Sequence, residues 1–312
     1  IERWPEVLER HLEANLKGVR ERFPDAPVKY HETRDERMRL VFRSAMDTTS
    51  TEQARADLAK LYDWGIANVF PDFADPAKAT HDAWCIVVLP SSRDFLRWAI
   101  SSFGRDAVTG TSGIGGSYVH DTKRLVAQDL GATLRHEFFH VLHWRSTTRL
   151  GQDHPIWIQE GLCSLVEDYE TGADGNLKPV PNWRTNISKR LTSNGRILAI
   201  QKLATIPRDR FTASSPLANY AQARTVFLYL WHMNKLKDWY AAYTDGYRAD
   251  PTGVKALEKV LRKPIAEVDK DYRAWIRGLP MVAEQIKPGK AGMGAEVDPG
   301  SGDGPEIGRA HV

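Results

Sequence analysis

Apolar residues recur every three or four positions from Trp4 to Phe23, placing Val7, Leu8, Leu12, Leu16, Val19 and Phe23 on one face of a single amphipathic helix. The period shortens toward two in Met38-Arg39-Leu40-Val41-Phe42-Arg43-Ser44, which predicts a strand. Helical spacing returns from Thr51 to Phe70, with Leu58, Leu61, Tyr62 and Ile66 on one side. Trp84 to Leu89 is an unbroken apolar run stopped by Pro90, the pattern of a buried central strand. Ser91 or Ser92 then caps a helix reaching Phe103. Gly110 to Gly116 is a turn region, and no Lys-Ser or Lys-Thr follows to make it a phosphate-binding loop. Tyr118 to Gln128 alternates loosely and predicts a hairpin or edge strand.

From Ala132 onward the strand signal nearly vanishes. Helices are predicted at 132–146, 156–170, 219–235, 253–262 and 265–277. After Pro280 the chain turns rich in Gly, Pro and Asp and reads as a disordered tail. The expected architecture is therefore α+β: an α/β half over 1–128, an all-helical half over 129–280, and a tail over 281–312, with the chemistry near the join. Ile307 to Val312 resembles one reading frame of a common sequencing adapter, so His311 is set aside as a ligand. The chain begins at Ile1 rather than Met, as a removed leader or a trimmed start would leave it.

Hydrophobic residues make up 42% of the chain, enough to expect a packed protein rather than a disordered one. The net charge of +3 comes without a block of like charges, which argues against a dedicated nucleic-acid binder. No apolar run approaches the roughly 18 residues of a membrane-spanning helix. The two cysteines, Cys85 and Cys163, fall in apolar elements and read as buried free thiols, with no CxxC pair to hold a metal. Compartment stays open on these grounds.

Chemistry concentrates in Leu134-Arg135-His136-Glu137-Phe138-Phe139-His140-Val141-Leu142, an HExxH motif inside an apolar helix. Residues i and i+4 share a helix face, so both imidazoles can reach one ion, and Glu137 lies beside them. After His140, 19 residues intervene before Glu160 in Pro155-Ile156-Trp157-Ile158-Gln159-Glu160-Gly161-Leu162, the start of a second helix. Two neutral histidines and one carboxylate leave a fourth tetrahedral position for water, the donor set of a catalytic zinc. A metzincin would need Gly and His where His143 and Ser146 stand. His143 and His154 are read as helix-surface and loop residues.

HEFFH followed by W-I-Q-E-G-L at this spacing resembles the gluzincin metallopeptidases, and more closely peptidase MA-like bacterial proteins, over residues 130–235. The resemblance implies a zincin-like fold, with a twisted sheet whose edge strand lies beside the active helix and a helical subdomain after it. It also implies one Zn2+ per chain on His136, His140 and Glu160, with Glu137 as general base and a peptide or protein as substrate. A secreted or periplasmic location rests on the resemblance alone. Ser164 stands where thermolysin-type enzymes carry an Asp that orients a ligand histidine, leaving Glu167, Asp168 or a backbone carbonyl for that task.

Tyr220, 60 residues beyond Glu160, stands where aminopeptidase-like gluzincins carry an oxyanion-donating tyrosine; the same position equally suits a core tyrosine. His232 is a weaker candidate for that role. The aminopeptidase glutamate of the edge strand has no counterpart in Gly115-Gly116-Ser117-Tyr118-Val119, which favours an endopeptidase. Trp98, Trp144, Trp183, Trp231 and Trp239 suit either an apolar cleft or the core. Two rival classes remain: a zincin-fold protein that binds without catalysing, and a metal hydrolase with a non-peptide substrate. Retention of Glu137 disfavours the first, since a structural metal needs no base.

Overall fold

The computed structural model describes residues 6–70, 82–105, 116–119, 122–173 and 175–283. The expected turn at Gly110 to Gly115, the first residues of the N-terminal helix and nearly all of the tail lie outside them. The fold is α+β, with a mixed five-stranded sheet in the N-terminal half and helices in the C-terminal half. Backbone contacts divide the described residues into two compact units, one running to Asp153 and including Tyr169–Lys178, the other formed by His154–Asp168 and residues 179–283.

In the first unit, α1 (Glu6–Arg22) precedes β1 (His31–Asp35), β2 (Leu40–Ser44), α2 (Thr48–Asn68), β3 (Trp84–Val88), α3 (Ser92–Phe103), β4 (Gly116–Val119), β5 (Arg124–Ala127) and α4 (Ala132–Leu150). Strand order is β1-β2-β3-β5-β4; β2, β3 and β5 run parallel, and β1 and β4 close the edges antiparallel. β3 is buried at every residue, as its continuous apolar run requires of a central strand. Val41, Cys85, Val87 and Val126 point to one face, where they pack with Leu12, Leu16 and Val19 of α1 and with Phe95 and Ala99 of α3. α4 packs against β4, β5 and α2. Phe139 is wedged there between Trp64 and Phe70, at 6.0 and 5.3 Å. Near its C-terminal end, buried Arg145 donates to the carbonyl of Met38 at 2.9 Å and to Asp82 at 3.2 Å, pinning the helix to the ends of β2 and β3. The HExxH helix thus belongs with the sheet, beyond the join expected at residue 128.

β1 escapes a periodicity reading because His-Glu-Thr-Arg-Asp has no apolar member. It is a charged edge strand held by its ladder to β2 and by ion pairs from Arg34 to Glu9 and from Glu32 to Arg20 and Arg43. The hairpin expected around Tyr118 is β4–β5, and Ser91 is the N-cap, accepting from the backbone N–H of Asp94.

The second unit contains α5 (Ile156–Leu165), α6 (Trp183–Ser193), α7 (Ile200–Ala204), α8 (Arg208–Ala213), α9 (Pro216–His232), α10 (Leu236–Gly246), α11 (Val254–Leu261) and α12 (Ile265–Gly278). α5 and α6 both pack on α9, which is buried at every residue from Ala221 to Leu230. The helix expected over 156–170 stops at Leu165, and Tyr169–Thr171 instead forms β6, paired with β7 (Leu177–Pro179). Glu167 and Asp168 are drawn out of helical continuation by Arg184 and Asn182, to which they are hydrogen-bonded. α6 carried no apolar stripe; it buries Thr185, Asn186, Ser188 and Thr192 and starts at a capping box of Asn182 and Thr185. No described helix is long and apolar enough to cross a membrane.

Candidate metal centre

His136 and His140 lie one turn apart on α4, both buried, with their Nε2 atoms 3.2 Å apart. Their rings meet edge-on, at 4.9 Å and 68°, so the two nitrogens converge rather than stack. The ligand atoms of His136, His140 and Glu160 lie within 4.8 Å of one another. At zinc–nitrogen distances of about 2.05 Å, a 3.2 Å separation subtends about 103° at the metal, close to tetrahedral. Glu160 is 1% exposed. Two imidazoles and a buried carboxylate whose ligand atoms gather this closely form a donor set that could hold a divalent metal ion. The donor set, burial and spacing therefore fit a zinc ion.

Glu137 follows His136 on α4 and is 4% exposed. Its side chain lies directly over Gly116 of the edge strand. A Cβ at Gly116 would collide with Cγ of Glu137, and would sit 2.9 Å from Cγ2 of Thr133 and 3.0 Å from Cδ of Glu137. Nothing in the sequence marked this glycine out, because the close approach joins residues 21 positions apart.

In the second unit, Pro155 occupies the N-cap of α5, and the side chain of Gln159 donates to the carbonyl of His154. Arg208 donates to Gln159 at 3.0 Å, tying the first turn to α8. Gly161 gives α5 its close approach to α9: Phe227 of α9 fills the space a Cβ would take and stacks on Trp157 at 5.2 Å.

Arg184 on α6 binds Glu167 through Nε at 2.7 Å and Nη2 at 2.8 Å. Its guanidinium lies 4.4 Å from the ring centre of Trp183 and 5.6 Å from that of Tyr220. Burial alone would lower its pKa, but Glu167, Tyr220 and Glu160 together hold it above the usual arginine value. Tyr220, in the first turns of α9, is half-buried with its ring against Phe211 at 5.3 Å. It shares a charged neighbour, Arg184, with Glu160. Fully buried Arg224 donates from Nε to the carbonyl of Ser164 at 2.8 Å, fixing the last turn of α5. The Ser164 hydroxyl, in the place of the orienting Asp, is buried without a hydrogen-bond partner among the described residues.

His143 is buried, not on a helix surface, and stacks on Phe70 at 6.0 Å. Every residue of α4 from His136 to His143 is buried. His154 sits in a loop as expected, but buried among Tyr240, Tyr243 and Tyr247, where burial pushes its pKa down to about 3. His232 is exposed at the far end of α9, about 18 Å along the helix axis from Tyr220, and packs on Trp275. Trp239 is core, against Trp157 and Phe227, and Trp98 packs with Phe23, Phe95 and Phe103; Trp183 is exposed. Both cysteines are free and buried, with the thiol of Cys85 pushed up to about 12 by burial. No protein-family model matches the chain, and no curated protein matches it.

Proposed function

We propose that this chain is a zinc-dependent metallopeptidase of the gluzincin type, cutting within peptide chains. The observation that carries the proposal is the convergence of two buried Nε2 atoms 3.2 Å apart, with a buried carboxylate in reach and a second glutamate beside them on the same helix. His136, His140 and Glu160 would hold one Zn2+ per chain. Zinc, when bound, supplies Lewis acidity that polarises a carbonyl and brings the pKa of water toward neutrality.

Glu137 then acts as general base: its carboxylate takes the proton of the attacking water and returns it to the leaving amine. Gly116 leaves the room in which that side chain lies. Tyr220 is proposed as oxyanion donor from its place in the gluzincin resemblance, half-buried in the first turns of α9. β4, at the sheet edge and without an acidic residue, would pair with an extended peptide through its backbone.

The test is to measure bound metal, incubate the protein with a diverse peptide mixture, and sequence the products. Internal cuts that a zinc chelator abolishes, and that Glu137→Gln reduces at least 10²-fold while keeping its zinc, are the expected result. Zinc without any cleavage would return the chain to a binding role, and unchanged turnover in Glu137→Gln would remove the base.

A further inference from the structure

We infer that Tyr118 is a positioning residue for the metal ligand His140, an inference that rests on the metal reading above. Its ring lies 4.7 Å from that of His140 with the planes only 13° apart, inside the range of offset aromatic stacking. Both residues are buried, at 4% and 2% exposure, so neither ring is free to swing into solvent. Trp84 backs Tyr118 at 6.2 Å, and Trp144 meets Trp84 edge-on at 5.7 Å. The Lys123 ammonium covers the outer aromatic, 3.4 Å from the ring centre of Trp144.

The physical need is specific. A histidine's second side-chain torsion is broad and nearly two-fold, so backbone geometry does not fix the plane of the ring. The lone pair that binds a metal lies in that plane. Stacking on Tyr118 restricts the plane, and the edge-on contact with His136 leaves Nε2 directed at its counterpart 3.2 Å away. Strand and helix periods make one short segment serve both roles. Gly116 and Tyr118 are two apart and share a strand face; Glu137 and His140 are three apart and share a helix face. Gly116 makes room for the base, and Tyr118 holds the ligand. An edge strand read from sequence only as a place for substrate thus also sets the geometry of the centre.

Zinc affinity by competition with a chromophoric chelator, together with the visible spectrum of the Co2+-substituted protein, tests this. Tyr118→Leu is expected to weaken zinc binding 10- to 100-fold, the usual effect of losing a group that orients a ligand, and to alter the cobalt spectrum. Tyr118→Phe keeps the ring and should stay within about threefold of wild type with an unchanged spectrum. Melting of the metal-free proteins separates this from loss of fold, and Tyr118→Met replaces the leucine variant if that one does not fold. Wild-type affinity and spectrum in the leucine or methionine variant would overturn the inference, as would a phenylalanine variant as impaired as either. A wild-type protein that binds neither zinc nor cobalt would instead overturn the metal reading, and this inference with it.

Discussion

Replacing Gly161 by alanine is a sharp test of how Glu160, the proposed third ligand, is held. On helix propensity alone, alanine in the middle of α5 should stabilise the protein by about 1 kcal/mol. The packing argues the reverse. The new Cβ would lie 2.5 Å from both Cδ2 and Cε2 of Phe227 and 3.0 Å from the carbonyl oxygen of Ala223. Carbon contacts are comfortable at about 3.5–4.0 Å, so α5 and α9 must part by about 1 Å or the ring must turn. The ring is fully buried, stacked on Trp157 at 5.2 Å and edge-on to Trp239 at 5.0 Å, so turning it displaces two tryptophans.

Overpacking of this kind costs about 2–3 kcal/mol, which leaves a net loss of about 1–2 kcal/mol after the propensity gain. That corresponds to a melting temperature lower by about 2–8 °C. Because Glu160 is the adjacent residue, the same shift moves its carboxylate, and zinc affinity should fall along with stability. Melting of metal-free protein reads the packing, and chelator competition reads the ligand. Trimming the ring in a Gly161→Ala/Phe227→Leu double variant should recover part of the affinity lost in the single one. A Gly161→Ala protein that melts higher than wild type and binds zinc equally well would refute the close-approach argument.

Glu160→Ala should lose most of its zinc by metal analysis, whereas His154→Ala should keep it; the opposite pattern would make His154 the third ligand. If Tyr220 donates to the oxyanion, Tyr220→Phe should lower kcat by 10²–10³ with KM nearly unchanged; a lower melting temperature with wild-type kcat would return it to the core. His154 is neutral when folded, with a pKa near 3 against an ordinary 6.5. The unfolded chain therefore takes up a proton that the folded chain refuses. Its stabilising contribution is complete above pH 6.5 and is lost as pH falls toward 3, by about 2 kcal/mol at pH 5. His154→Phe should flatten that dependence between pH 7.5 and 5, and equal slopes in the two proteins would refute it.

The proposed metal ligands were legible in the sequence because their geometry is local. Four residues on a helix put His136 and His140 on one face whatever surrounds them, and the W-I-Q-E-G-L context singled out Glu160. Long apolar runs were legible for the same reason: β3 is central because its apolar run has no polar face to offer solvent. Elements held by partners rather than by their own pattern were not. β1 has no apolar residue and exists through its ladder with β2, α6 buries threonine, serine and asparagine, and helix α5 ends where Arg184 and Asn182 capture the acids beyond it. The environment of the centre also belonged to the tertiary structure alone. Gly116 under Glu137, Tyr118 stacked on His140 and Phe227 against Gly161 each join residues 21 to 66 positions apart. A periodicity fixes which side of an element a residue faces, and only the packing of elements decides what it meets there.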